Sequence, residues 1–141
     1  MVAVPKDQSP VLAECLGASF PEKPRPRAVL IPGKAAVTIK EWMVPSPGSR
    51  PHGLTEDSAG NIWYTGNGNA TVGRLNPKTG ALTEYPMPDP AARDPHTPIF
   101  DRKGTLWFTL QQANMVGKLN PQTGETRLVK MPTERSLPYG M

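Results

Sequence analysis

The stretch PHGLTEDSAGNIWYTGNGNATVGRLNPKTGALTEYPMP, residues 51–88, returns 44 residues later as PHTPIFDRKGTLWFTLQQANMVGKLNPQTGETRLVKMP, residues 95–132. The two copies agree at 15 of 38 positions, against roughly two expected from ordinary residue frequencies. The conserved register includes Pro51-His52, Trp63, Thr65, Asn76-Pro77 and Thr79-Gly80. A fixed period of this length is the mark of a repeat architecture, so fold and function follow from the repeat unit. Outward from the two copies, Pro138-Tyr139-Gly140-Met141 stands where a third would begin, and Glu41-Trp42-Met43-Val44-Pro45 resembles the closing Glu84-Tyr85-Pro86-Met87-Pro88.

Within each copy the apolar residues alternate with a period of two, and the punctuation is that of hairpins. The spacing predicts four strands. The first starts at His52 or His96, and a turn opened by Asp57 or Asp101 and closed by Gly60 or Gly104 follows it. The second covers residues 61–65 and 105–109, rich in aromatic and β-branched side chains. The third covers 71–75 and 115–119, and Asn-Pro-x-Thr-Gly then reverses the chain, with Pro fixing φ and Gly allowing a positive one. The fourth covers 82–85 and 126–129 and ends at a Met-Pro pair. Neither copy contains a helical period. Four short antiparallel strands per 44 residues predict an all-β fold built of β-propeller blades.

Two full blades plus fragments do not close a ring, since propellers use about four to eight. The chain is therefore expected to be a truncated piece, a partial sequence, or a subunit that closes by self-association through its open blade edges. Residues 1–38 lie outside the repeat. Ser9-Pro10 with Val11, Leu12, Cys15, Leu16 and Gly17 predicts a helix of two turns. The four prolines between Phe20 and Lys34 predict an extended linker.

Bulk properties narrow the classes. The 141 residues are 37% hydrophobic, with a mean hydropathy of −0.45, which allows one soluble domain with a modest core. No run is apolar enough to span a membrane. The N-terminus carries no secretion signal, so a cytoplasmic location is expected unless a missing upstream part encodes export. A lone Cys15 excludes an intrachain disulfide and a cysteine-based metal site. The net charge of +4 arises from dispersed Lys and Arg, partly in the Pro-rich segment, which argues against a nucleic-acid partner. No Gly-rich phosphate loop, Gly-x-Ser-x-Gly elbow or His-Glu-x-x-His motif is present. Asn69-Ala70-Thr71 matches a glycosylation sequon, which has no meaning without secretion.

In a propeller the first strand of each blade lines the central channel. His52 and His96 should therefore face one channel mouth from neighbouring blades, with Tyr139 in the third position. The plainer reading of Pro-His is a structural motif whose imidazole bonds a loop carbonyl. Asp94 adds a carboxylate two residues before His96, a pairing that can hold a divalent ion or tune a general base, although Asp before Pro is also ordinary turn chemistry. Asp57, Asp101, Asn76 and Asn120 read as turn residues, and Trp63 and Trp107 as packing between blades.

Pro-His-Gly-Leu, Gly-Asn-Ile-Trp-Tyr-Thr, Val-Gly-Arg-Leu-Asn-Pro-Lys-Thr-Gly and the closing Glu-Tyr-Pro-Met-Pro together resemble the blade consensus of virginiamycin B lyases, also called streptogramin lyases. The resemblance covers about residues 39–141. It implies a seven-bladed propeller with a magnesium-dependent site, and a carbon–oxygen lyase that opens a cyclic depsipeptide antibiotic by elimination, an antibiotic-resistance activity. It also implies His96 as the base, His52 as the neighbouring channel His and Asp94 as a Mg²⁺ ligand. The chain departs from the family at Leu110 and Gly66, where family enzymes place a further carboxylate, and one carboxylate makes a poor Mg²⁺ site without other oxygen ligands. The family's catalytic blades also lie late in the ring. A non-catalytic propeller module binding a small molecule or protein partner, and a propeller lactonase, are the competing readings.

Overall fold

The computed structural model describes Gly33 and residues 38–141, so the helix and linker expected within residues 1–38 lie outside the described residues. The repeat folds as expected. Strands β1 (Pro51–Glu56), β2 (Ile62–Gly66), β3 (Thr71–Leu75) and β4 (Leu82–Pro86) form one antiparallel sheet in sequential order. Strands β5 (Pro95–Phe100), β6 (Leu106–Leu110), β7 (Met115–Leu119) and β8 (Thr126–Lys130) form a second in the same order. These are two propeller blades, and no helix occurs among the described residues.

The turns do what their residues dictate. Asp57 Oδ1 accepts from the backbone N–H of Ala59 and Asn61, both at 2.9 Å, and its Oδ2 accepts from Trp63 Nε1 at 2.8 Å. Asp101 repeats this with Lys103, Thr105 and Trp107. Burial draws the Asp57 carboxyl upward, but the hydrogen bonds from Trp63, Asn61 and Ala59 outweigh it and hold the group below its usual range. The Trp107 indole, with Thr105 and Lys103, does the same for Asp101. In the next turn, Asn76 Oδ1 accepts from Lys78 and Thr79, and Asn120 Oδ1 from Gln122. Each turn side chain is thus consumed by its own turn, as the sequence implies.

Between the blades the period-two alternation sorts the second strand to two faces. Trp63 and Val72 of the first blade, both fully buried, join Leu106, Phe108 and Leu119 of the second in one core. Trp63 stacks on Tyr85 at 5.7 Å and meets the Phe100 ring edge-on at 5.8 Å. Close packing also explains why Val is followed by Gly in both third strands. A Cβ at Gly73 or Gly117 would overlap the ring of Tyr64 or Phe108, which lies flat across the strand.

Trp107 occupies the position of Trp63 but is only half-buried. Trp63→Ala should therefore cost about 3–5 kcal/mol, the usual range for emptying a large aromatic site, and Trp107→Ala distinctly less. Urea unfolding followed by circular dichroism checks this ordering, and equal losses would show that the interblade core is not centred on Trp63.

Candidate functional site

Each blade begins with a break in its own ladder. Between Pro51 and Leu54 the pairing of β1 with β2 shifts register, and β5 does the same between Pro95 and Pro98. The shift leaves residues 52–53 and 96–97 outside the regular pairing. The residue before Pro51, Pro95 and Pro138 has a left-handed backbone in each case: φ is 47° at Arg50, 62° at Asp94 and 47° at Leu137. Such conformations cost about 1–3 kcal/mol for a residue with a side chain and tend to mark functional sites.

A buried hydroxyl substitutes for the missing ladder bonds. Thr65 Oγ1 accepts from Gly53 N at 2.9 Å and donates to His96 O at 2.7 Å. Thr109 Oγ1 accepts from Thr97 N at 3.1 Å and donates to Tyr139 O at 2.8 Å. The second strand of each blade thereby holds the start of its own first strand and of the next one. Gly53 is required where β1 runs against the neighbouring blade, since a Cβ there would overlap the His96 carbonyl oxygen and the Pro98 ring.

This scaffold aligns three rings. The His52 and His96 imidazoles lie 4.0 Å apart between centroids, and His96 and Tyr139 4.1 Å apart. His52 and Tyr139 are exposed, while His96 between them is buried. Burial and the adjacent His52 depress the His96 pKa below its ordinary 6.5, and the Asp94 charge only partly opposes them. His96 Nδ1 lies 3.2 Å from Thr97 Oγ1. The structure thus brings together both histidines singled out by sequence, with Tyr139 third in the row as the repeat register implies.

Asp94 is buried beside His96, and its Oδ1 accepts a hydrogen bond from Asn67 Nδ2. Asn67 Oδ1 in turn accepts from Arg50 Nη2 at 3.2 Å. Arg50, Asn67, Asn69, Arg93, Asp94 and Gln112 line an open cavity of about 400 Å³ at the same end of the blades. Sequence reasoning did not reach Arg50, Asn67, Arg93 or Gln112. For Asn67 and Gln112 the signal lay in the connections at residues 67–70 and 111–114, which differ between the copies although the flanking strands match. Leu110, where the family pattern has a carboxylate, is fully buried in the core, and Gly66 is buried too. Among the described residues, no three His, Cys, Asp or Glu side chains converge on one point. One hydrogen-bonded carboxylate beside two imidazoles does not supply the oxygen donors that Mg²⁺ demands.

The depressed pKa has a consequence for acid stability. The unfolded chain binds a proton at His96 more readily than the folded one, so stability should fall as pH drops through and below about 6.5. Because His52 is one of the two depressing causes, His52→Ala should raise the His96 titration midpoint in an NMR titration. A midpoint unmoved by the substitution would sever the electrostatic coupling inferred from the ring contact.

Three comparisons bear on this arrangement. The family model described as the virginiamycin B lyase family matches residues 33–141. Among solved structures, a streptogramin B lyase is 35% identical with a TM-score of 0.67. A catalytically inactive virginiamycin B lyase from Staphylococcus aureus, solved with quinupristin, is 30% identical, also with a TM-score of 0.67. Each alignment covers 73% of this chain and 34% of the other, so the chain spans about a third of the length of these lyases. Hydrazine synthase from Kuenenia stuttgartiensis, 16% identical with a TM-score of 0.57, shares the fold alone. No match is found among the curated proteins. With the repeat, the blade architecture and the family match over residues 33–141 in agreement, the chain belongs to the virginiamycin B lyase family.

Proposed function

We propose that this chain acts as a carbon–oxygen lyase on cyclic depsipeptides of the streptogramin B type, opening the ring by elimination. One observation carries the reading: a buried imidazole whose pKa is depressed, set beside a second imidazole at a blade start, in blades that match the lyases. The substrate class is carried over from the Staphylococcus aureus lyase, which was solved with quinupristin.

In this reading His96 is the general base. The reading requires the tautomer in which Nδ1–H donates to Thr97 Oγ1, which leaves the lone pair on Nε2. It takes the proton α to a carbonyl of the depsipeptide, and the C–H electron pair becomes the new C=C bond. The bond from the β-carbon to the ester oxygen breaks, and its pair leaves on the carboxylate, so atoms balance without water. A base that is neutral at pH 7 is matched to this task, and burial together with His52 keeps His96 in that form. His52, exposed beside it, borders the substrate, and Tyr139 closes the row.

Magnesium, which the resemblance implies, would supply polarisation of the carbonyl. The described residues do not assemble its ligands, with Asp94 the single carboxylate at hand, and no step is routed through it.

The test incubates the purified chain with a streptogramin B antibiotic, with and without Mg²⁺, and follows the product by chromatography and mass spectrometry. Ring opening at unchanged mass is expected, and His96→Ala should slow it by about 10²-fold or more, the usual contribution of a positioned base. A product heavier by one water would replace elimination with hydrolysis. Intact antibiotic from a folded sample would leave a binding scaffold.

A further inference from the structure

Two guanidinium groups, one from each blade, border the same cavity. Arg50 immediately precedes Pro51-His52, and Arg93 lies three residues before His96. We propose that Arg50 and Arg93 together form a carboxylate-binding subsite, and that in the lyase reading, on which this second clause rests, it receives the carboxylate released when the ester C–O bond breaks.

The cavity is built for a charged polar group. Its side chains are two arginines, three amides in Asn67, Asn69 and Gln112, the single carboxylate Asp94 and one methyl in Ala70. At about 400 Å³ it lies within the range of small-molecule sites. Asp94 offsets one of the two positive charges, and neither arginine is engaged in an ion pair among the described residues. The one ion pair among the described residues joins Arg127 to Glu125, far along the sequence. Asp94 directs an oxygen to Asn67 rather than to either arginine.

The arginines are also positioned. Arg50 is held by its left-handed backbone and by the bond from Nη2 to Asn67 Oδ1, which uses one of its five N–H donors. The loop that carries Asn67 is tied back to the same segment by Gly68 N donating to Ser49 O at 2.9 Å. Arg93 follows the fully buried Ala92, which anchors a turn closed by Ala92 N donating to Asp89 O at 2.9 Å. Both side chains are exposed, so their guanidinium groups are available to a ligand. A planar fork matches a carboxylate in a way that an ammonium cannot.

The chemistry assigns the subsite a use. In the elimination the β C–O electron pair ends on a carboxylate, while the α proton ends on His96. Negative charge therefore appears one bond at a time on the group that departs. Arg50 and Arg93 precede the strands that carry His52 and His96 by one and two residues, so base and anion subsite lie at the same end of the two blades. Preorganised donors aimed where charge develops are the ordinary means of stabilising such a transition state.

Two measurements test this. First, sodium acetate is titrated at constant ionic strength into the full chain labelled with ¹⁵N, and the arginine Nε resonances are followed. Saturable shifts confined to Arg50 and Arg93, and lost in the Arg50→Gln, Arg93→Gln double variant with an unchanged circular dichroism spectrum, are expected. Equal movement at Arg127 and Arg102, or none at Arg50 and Arg93, overturns the subsite. Second, in the antibiotic assay the double variant should lose kcat by about 10²-fold with KM little changed, and undiminished kcat overturns the leaving-group role. Acetate binding is read without turnover. If the chain binds acetate but never opens the antibiotic, the lyase reading fails and the subsite stands.

Discussion

The hydroxyl of Thr65 is the point on which the channel side of this structure depends. The register break at Pro51 leaves the Gly53 amide without a ladder partner, and the same geometry leaves the His96 carbonyl facing the neighbouring blade. One oxygen serves both, accepting from the first and donating to the second. Thr109 does the same for Thr97 and Tyr139. A buried amide or carbonyl left unsatisfied costs about 1–3 kcal/mol, so each threonine decides whether the break is tolerable. The break in turn lets the histidines leave the sheet plane and stand side by side. Threonine suits the position on two counts: its β-branched side chain fits a strand, and its hydroxyl both donates and accepts.

Blade-to-blade packing rests on a second repeated element with a different outcome in each copy. Asp57 and Asp101 fix the indoles of Trp63 and Trp107 in the same orientation, since both carboxylates accept from the indole N–H. A cation covers each ring, Arg74 at 5.8 Å and Lys118 at 5.6 Å. Local structure is therefore the same in both blades. Only the first indole is fully buried, because Phe100 and the second sheet lie against it. Burial here is a property of the neighbour rather than of the sequence around the tryptophan, which is the expected behaviour of repeat units whose stability is shared across interfaces.

Much of the fold was legible in particular residues. Asp57-x-x-Gly60 and Asn76-Pro77-x-Thr79-Gly80 have one turn solution each, and their glycines carry the positive φ that those turns need. The alternation in residues 61–65 and 105–109 placed the second strands within a residue of their observed limits. The 44-residue spacing was enough to anticipate that His52 and His96 come together. What could not be read was long-range or contrary to local preference. A residue before proline normally avoids helical backbone, so left-handed Arg50 and Asp94 have no sequence signal. The Asn67–Asp94 bond joins positions 27 apart in loops that the repeat does not conserve. The two arginines looked dispersed because they converge only when the blades stack.

That convergence changes how the charges near His96 are to be weighed. As a sequence, Asp94-Pro95-His96 suggests an acid that raises the basicity of its imidazole or gathers a metal. In the folded chain the carboxylate is turned toward Asn67, and burial and His52 together outweigh its influence on His96. The imidazole is held below its ordinary pKa, and the positive charge of the neighbouring cavity comes from Arg50 and Arg93. If His96 is the base and the arginines bind an anion, as proposed, the pair suits chemistry that removes a proton from carbon and ends with a new anion. Hydrolysis would instead need a positioned water and an oxyanion site at the same carbonyl. In the proposed lyase reading, the separation of base from anion-binding groups is what would give elimination its physical basis.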